Sequence, residues 1–166
     1  MPGDITKSAA LARPEHLDSW FRAQGYVVES PNEAHSAYNV RRLTSPRTDE
    51  RLVVAYKTDR RIADTSSIFL ETYSVLNETT SKPGWAKDRK MDAFVVYSPQ
   101  SAYFWFLRSS TVREKLPDWC TRLESRTVRN EGYNTEGLIV PESELRAAGA
   151  TCHIIVMERS KDRPTA

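Results

Sequence analysis

Cysteine is scarce in this chain. Cys120 and Cys152 stand far apart among 166 residues and fit neither a disulfide framework nor a thiolate metal site. Both read as reduced, small and buried. The three histidines, His16, His35 and His153, share no ligand spacing, and His153 reads as an ordinary packed or surface residue. No apolar run approaches the roughly 18 residues of a membrane span, and the N-terminus has no apolar signal core, so a cytoplasmic protein with no membrane partner is expected. Neither a repeat nor a low-complexity linker is visible, and residues 1–166 read as a single domain with residues 1–12 and 160–166 as loose termini. Charge of one sign is lacking too. Lys and Arg total 24 against 22 Asp and Glu, a net charge of +2 that argues against a protein coating nucleic acid generically.

What charge there is clusters. Between residues 41 and 61 stand Arg41, Arg42, Arg47, Arg51, Lys57, Arg60 and Arg61 against Asp49, Glu50 and Asp59. Between residues 82 and 90 stand Lys82, Lys87, Arg89 and Lys90 against Asp88 alone. Such clusters serve either as a footprint for phosphates or as solvated strand edges that discourage pairing with another chain.

Hydrophobic periodicity gives the elements. Pro14 suits a first helical position, and Leu17, Trp20 and Phe21 recur on one face before Gly25, which predicts a helix over residues 14–24. Strands are expected at 26–29, 35–43 and 52–56, the last apolar enough to be central. Residues 68–75 are rich in β-branched and aromatic side chains; period two puts Phe69, Glu71 and Tyr73 on one face and Ile68, Leu70 and Thr72 on the other. Residues 77–90 read as a loop, and 93–97 with 103–107 as a hairpin in which Trp105, Phe104 and Phe106 serve the core. Ser109 and Ser110 can cap a helix over 111–124 that carries Trp119 as a packing residue and that Pro117 should kink or divide. A short strand at 137–140, a small helix opened by Pro141 and stopped by Gly149, and a final strand at 152–157 complete the order. Helix, several strands, then helices and shorter strands make an α/β (α+β) domain with a central mixed sheet flanked by helices.

One carboxylate, Asp64, precedes a turn, and a second, Glu71, sits inside an apolar strand. A carboxylate there needs a partner, a metal or a wet cleft, unless the strand is an edge with its glutamate in solvent. With lysines close by, two carboxylates can bind a divalent cation and the phosphate it acts on. Trp85, between Lys82 and Lys87, either stacks on a base or packs over the sheet.

Four pieces in order, Asp64, Phe69-Leu70-Glu71, Lys82-Pro83-Gly84-Trp85 and Asp92-Ala-Phe-Val-Val-Tyr97, resemble the PD-(D/E)xK nuclease superfamily, and small phage-type members in particular. The similarity covers about a quarter of the chain. It implies a restriction-endonuclease-like fold and a Mg²⁺- or Mn²⁺-dependent DNA nuclease of phage or mobile-element type, acting on single-stranded, duplex or branched DNA. It makes Asp64 and Glu71 metal ligands, with Asp59 a rival for the first place and Glu15 a weaker acidic candidate from the first helix. Two residues after Glu71, where the superfamily carries its catalytic lysine, this chain has Tyr73, a poor substitute without positive charge. Lys82, Lys87 or Lys90 would then supply the ammonium, with Lys82 placed in the catalytic set beside Asp64 and Glu71. Arg60, Arg61, Lys82, Trp85, Lys87 and Lys90 would contact DNA. A branched substrate would imply a two-fold homodimer. The alternatives are a catalytically silent nuclease fold that binds nucleic acid and a virion or assembly protein in which the carboxylates are incidental.

Overall fold

The computed structural model describes residues 11–30, 39–155 and 157. The expected loose arm over residues 1–10, the tail at 160–166 and the first part of the strand expected at 35–43 lie outside the described residues. Ala12 is buried and donates its N–H to the Pro99 carbonyl at 2.8 Å, so the chain is already held to the fold ahead of the first helix.

In chain order the elements are α1 (Pro14–Ala23), β1 (Val27–Glu29), β2 (Asn39–Thr44), β3 (Arg51–Thr58), α2 (Ile62–Thr65), β4 (Ser67–Leu76), β5 (Ser81–Pro83), a 3-10 turn (Trp85–Lys87), β6 (Ala93–Tyr97), β7 (Tyr103–Arg108), α3 (Ser109–Arg122), β8 (Ser125–Asn130), β9 (Tyr133–Pro141), α4 (Glu142–Ala147) and β10 (Thr151–Ile154). They form an α+β architecture with two sheets. One has the order β1-β2-β3-β6-β7-β10, the other β5-β4-β9-β8. The first is mixed, since β3 runs parallel to β6 while its remaining pairs are antiparallel.

Both faces of the six-stranded sheet are covered, which is why all five residues of β6 are buried. Ala93, Val95 and Tyr97 join Leu17 and Phe21 of α1 in one apolar cluster. Phe94 and Val96 face the other way, into a cluster with Ile68 and Leu70 of β4, Leu138 and Val140 of β9, and Trp119 of α3. The expectation of one sheet flanked by helices is corrected here: β4 does not join the central sheet but leads a second sheet packed on it. Alternating apolar residues in β4 and β9 give that sheet one buried face.

Other expectations shift as well. Helix α3 runs on through Pro117, whose missing N–H would have met the carbonyl of Arg113; both residues are exposed, so water can satisfy that carbonyl. Ser109 does not cap α3 but is its first residue, its N–H held by the Asp92 carbonyl at 3.0 Å. The stretch 77–90 is not a plain loop, since it contains β5 and the 3-10 turn. The β8–β9 hairpin, turning at Glu131-Gly132 with Gly132 at φ +78°, replaces an unassigned stretch and the short strand at 137–140. Cys120 is exposed on α3 and Cys152 half-buried, so the expectation of two buried thiols holds for neither in full. Among the described residues, no helix is long and apolar enough to cross a membrane.

Helix α1 is tied to the sheet by a polar contact. Asp18 accepts hydrogen bonds from Arg41 Nε at 3.0 and 3.2 Å and from the Tyr56 hydroxyl at 2.8 Å. Burial, then the charge of Asp18, holds the Tyr56 phenol well above its usual range. The Asp18 and Arg41 side chains are only 11% and 13% exposed, so removing one leaves the other charge unpaired. Asp18→Ala is expected to cost about 2 kcal/mol in chemical denaturation; a change near zero would show the contact to be idle.

Candidate active site

The site forms where β3 leaves the first sheet and β4 begins the second. The Asp59 N–H goes to the Tyr97 carbonyl at 2.8 Å, which holds the end of β3 against β6. The Asp59 carboxylate then accepts the N–H of Arg61 at 2.9 Å on one oxygen and that of Phe69 at 2.7 Å on the other. It thereby fixes both ends of the short α2 excursion. Each oxygen keeps a lone pair for a further partner.

Strand β4 alternates as its sequence predicts: Ile68, Leu70 and Thr72 are buried, while Phe69, Glu71 and Tyr73 face outward and are half-covered. The covering comes from the Lys-Pro-Gly-Trp segment, which folds back over the strand. Gly84 donates its N–H to the Thr72 carbonyl at 2.9 Å, and Trp85 donates its backbone N–H to the Glu71 carboxylate. The approach is so close that a Cβ on Gly84 would lie 2.3 Å from the Glu71 carbonyl oxygen. Glycine is needed here for space.

A cleft of about 340 Å³ results, lined by Lys57, Asp59, Arg60, Arg61, Phe69, Glu71 and Trp85. Burial raises the Glu71 carboxyl above its ordinary range, opposed by the charge of Lys57 and by the Trp85 N–H. Burial likewise pushes the Lys57 ammonium down to about 8, opposed by the charges of Glu71 and Asp88. Each group therefore feels the other's charge across the cleft, in a setting that disfavours both charges.

That arrangement has a thermodynamic signature. Between pH about 8 and the ordinary lysine value of 10.5, the unfolded chain holds the Lys57 proton and the folded chain does not, so folding stability from this group rises with pH. In metal-free buffer, the wild type is expected to gain stability over that window relative to Lys57→Met. Parallel pH profiles for the two proteins would contradict the burial of this charge.

The structure brings together some of the residues chosen from sequence. Asp59, Glu71, Arg60, Arg61 and Trp85 line the cleft. Asp64 does not; it is exposed on α2, and Asp59, its rival from the sequence, is the carboxylate that shares the lining with Glu71. Lys82 is exposed on the edge strand β5 opposite Val75 and also lies outside the lining. The Lys87 ammonium sits 3.6 Å from the centre of the Tyr73 ring, and Lys90 is exposed beyond Asp88, whose carboxylate accepts its N–H at 2.8 Å. Trp85 is 6% exposed with its ring 4.8 Å from that of Phe94, so it packs on the sheet and presents no free face in a loop. Asp92 is a structural residue whose carboxylate accepts the Val53 N–H at 2.7 Å. Glu15 is exposed in the first turn of α1.

Lys57 is the residue that sequence reading missed. It is the only charged side chain in the apolar run from Leu52 to Thr58, the same anomaly that singled out Glu71. Among the described residues no group of three or more His, Cys, Asp or Glu side chains is gathered to hold a metal ion. Two carboxylates are still a sufficient protein contribution for Mg²⁺, which commonly takes one or two together with waters and substrate phosphate. A larger cavity of about 450 Å³ lies between α1, β7 and α3; aromatic rings line it together with Arg47, Arg108 and His153, and no acidic residue does.

No family model, no curated protein and no solved structure matches this chain.

Proposed function

We propose that the protein is a Mg²⁺- or Mn²⁺-dependent DNA phosphodiesterase on a restriction-endonuclease-like fold, with the cleft between β3 and β4 as its active site. The observation that carries this reading is the meeting in one cleft of two carboxylates, Asp59 and Glu71, with Lys57, a lysine of lowered proton affinity, and two arginines. Asp59 at the end of one strand and Glu71 inside the next follow the order of the superfamily's acidic residues, and Lys57 takes the place of the lysine that Tyr73 lacks.

Asp59 and Glu71 would hold the ion. When bound, such an ion would supply positive charge beside the scissile phosphate and lower the pKa of a water. The protein's own groups do the rest. The Trp85 N–H keeps the Glu71 carboxylate pointed into the cleft. Lys57 Nζ orients the attacking water or takes its proton, a task suited to a group that ionises near neutrality. Arg60 and Arg61 bind the phosphates on either side.

One observation favours a second reading, a silent nuclease fold that only binds nucleic acid. Both Asp59 oxygens already accept backbone N–H groups, so its first duty is to hold the turn. Metal binding separates the two. Thermal unfolding followed during a Mn²⁺ titration is expected to show a midpoint that rises with metal in the wild type and stays flat in Glu71→Gln. No rise in the wild type would reject the metal site and leave the binding reading.

A further inference from the structure

A second depression, of about 260 Å³, opens beside the cleft and shares Arg61 and Phe69 with it. Its far wall is Glu124, just ahead of β8, Arg126 of β8 and Ile139 of β9. Strand register explains the juxtaposition. Glu71 pairs with Gly137, and Gly137 pairs with Arg126, so the three form one row across the second sheet. Paired residues point to the same face, which puts Arg126 two strands, roughly 10 Å, from Glu71.

Gly137, in the middle of the row, has no side chain, and the Phe69 ring occupies the space. A Cβ on Gly137 would lie 2.5 Å from the tip of that ring. Phe69 thus lies over the β9 backbone between Glu71 and Arg126, half-exposed, with the Arg61 guanidinium 5.4 Å from its centre. Its chain neighbours Ile68 and Leu70 are fully buried; Phe69 shares the open face of β4 with Tyr73, and of the two Phe69 lines the depression. The Arg126 guanidinium is held by Glu124 at 3.2 Å in a pair exposed on both sides. Exchanging that partner for a phosphate costs little.

We infer that this depression seats one unpaired nucleotide of a DNA single strand, its base stacked on Phe69 in place of the Arg61 guanidinium, which turns with Arg126 to the nucleotide's phosphate. The inference rests on the phosphodiesterase reading, and it names the substrate class as single-stranded or frayed DNA running from the cleft across β9 to β8. A base inside a duplex already has both faces covered by its neighbours. Only an unpaired base has a free face to lay on an aromatic ring.

Binding measured in EDTA, where no cutting occurs, tests it. Fluorescence anisotropy would compare a labelled oligothymidylate of about twelve nucleotides, within the range of single-strand site sizes, with a labelled hairpin duplex of equal charge. Phe69→Ala is expected to weaken binding of the single strand by about 5- to 150-fold, the measured worth of one stacked base, and to weaken the hairpin far less, since a duplex meets only the Arg61 that this ring supports. Phe69→Trp keeps a stacking face and should retain wild-type affinity, which separates stacking from any loss of fold. Arg126→Ala should weaken the single strand and lower its salt slope by about one. Equal effects of Phe69→Ala on both DNAs, no effect on either, or no binding of the single strand by the wild type would overturn the inference. A protein that cuts duplex without any Phe69-dependent preference for single strands would keep the phosphodiesterase reading and lose this subsite. Phe69-dependent single-strand binding in a protein that never cuts would do the reverse.

Discussion

Replacing Lys57 with methionine is expected to slow DNA cleavage by about 10²- to 10⁴-fold, the usual worth of a positioned proton donor or acceptor. Methionine keeps most of the stem that lies near the Trp85 ring, where the ammonium stands 5.9 Å from the ring centre, so packing changes little. What is lost is the ammonium between Glu71 and Asp88. Without it the Glu71 carboxyl moves further up, because burial then acts on it unopposed by that cation. The fold should not suffer, since burying this cation is itself unfavourable. An inactive protein with an unchanged or raised unfolding midpoint is therefore the expected result, read by single-turnover cleavage beside a circular-dichroism melt. Lys57→Met cutting at the wild-type rate would return the role of the ammonium to Lys82, Lys87 or Lys90. Effects of Lys57→Met and Glu71→Gln should not add, because the two groups act as one unit.

Gly84→Ala should damage the fold and the site together. The new methyl would stand 2.3 Å from the Glu71 carbonyl oxygen, 2.5 Å from its carbonyl carbon and 2.8 Å from its Cγ. The first two are backbone atoms of a paired strand, which has little room to give. Either the loop lifts, which breaks the Gly84 N–H bond to Thr72 and withdraws the Trp85 N–H from the Glu71 carboxylate, or β4 shifts against β9. The expected cost exceeds about 3 kcal/mol, at the high end for overpacking. Gly132→Ala is the comparison. Gly132 has φ +78° with nothing within 4 Å of its missing Cβ, so only backbone strain enters and about 1 kcal/mol is expected. Denaturant midpoints of the two variants decide it. Similar costs at both positions would mean that the loop over Glu71 yields easily.

The sequence made the helix at Pro14, the alternation of β4 and the β6–β7 hairpin legible because each has a strong period of its own. It hid the division into two sheets, since period two states which face a residue takes but not which sheet its strand joins. The β8–β9 hairpin was hidden for a related reason. Its first strand, Ser125–Asn130, is mostly exposed and carries almost no apolar signal, leaving Glu131-Gly132 as the only local mark. Within the site, Glu71 was legible as a carboxylate in an apolar strand. Asp59 was readable only as a rival to Asp64, because the choice between them depends on how the chain turns at α2. Lys57 carried the same mark as Glu71, a charge in an apolar run, but its place beside Glu71, like that of Phe69 beside Arg126, became visible only in the folded chain.

The central claim is that the Lys57–Asp59–Glu71 cleft cuts phosphodiester bonds with a divalent metal. Incubation of end-labelled single-stranded, duplex and four-way-junction DNA with Mg²⁺ or Mn²⁺, with wild-type protein beside Glu71→Gln, tests it most directly. The predicted result is metal-dependent cutting by the wild type, strongest where a strand is unpaired, and its loss in Glu71→Gln. Cutting that survives in Glu71→Gln would place the chemistry elsewhere, and no cutting of any substrate with either metal would contradict the claim.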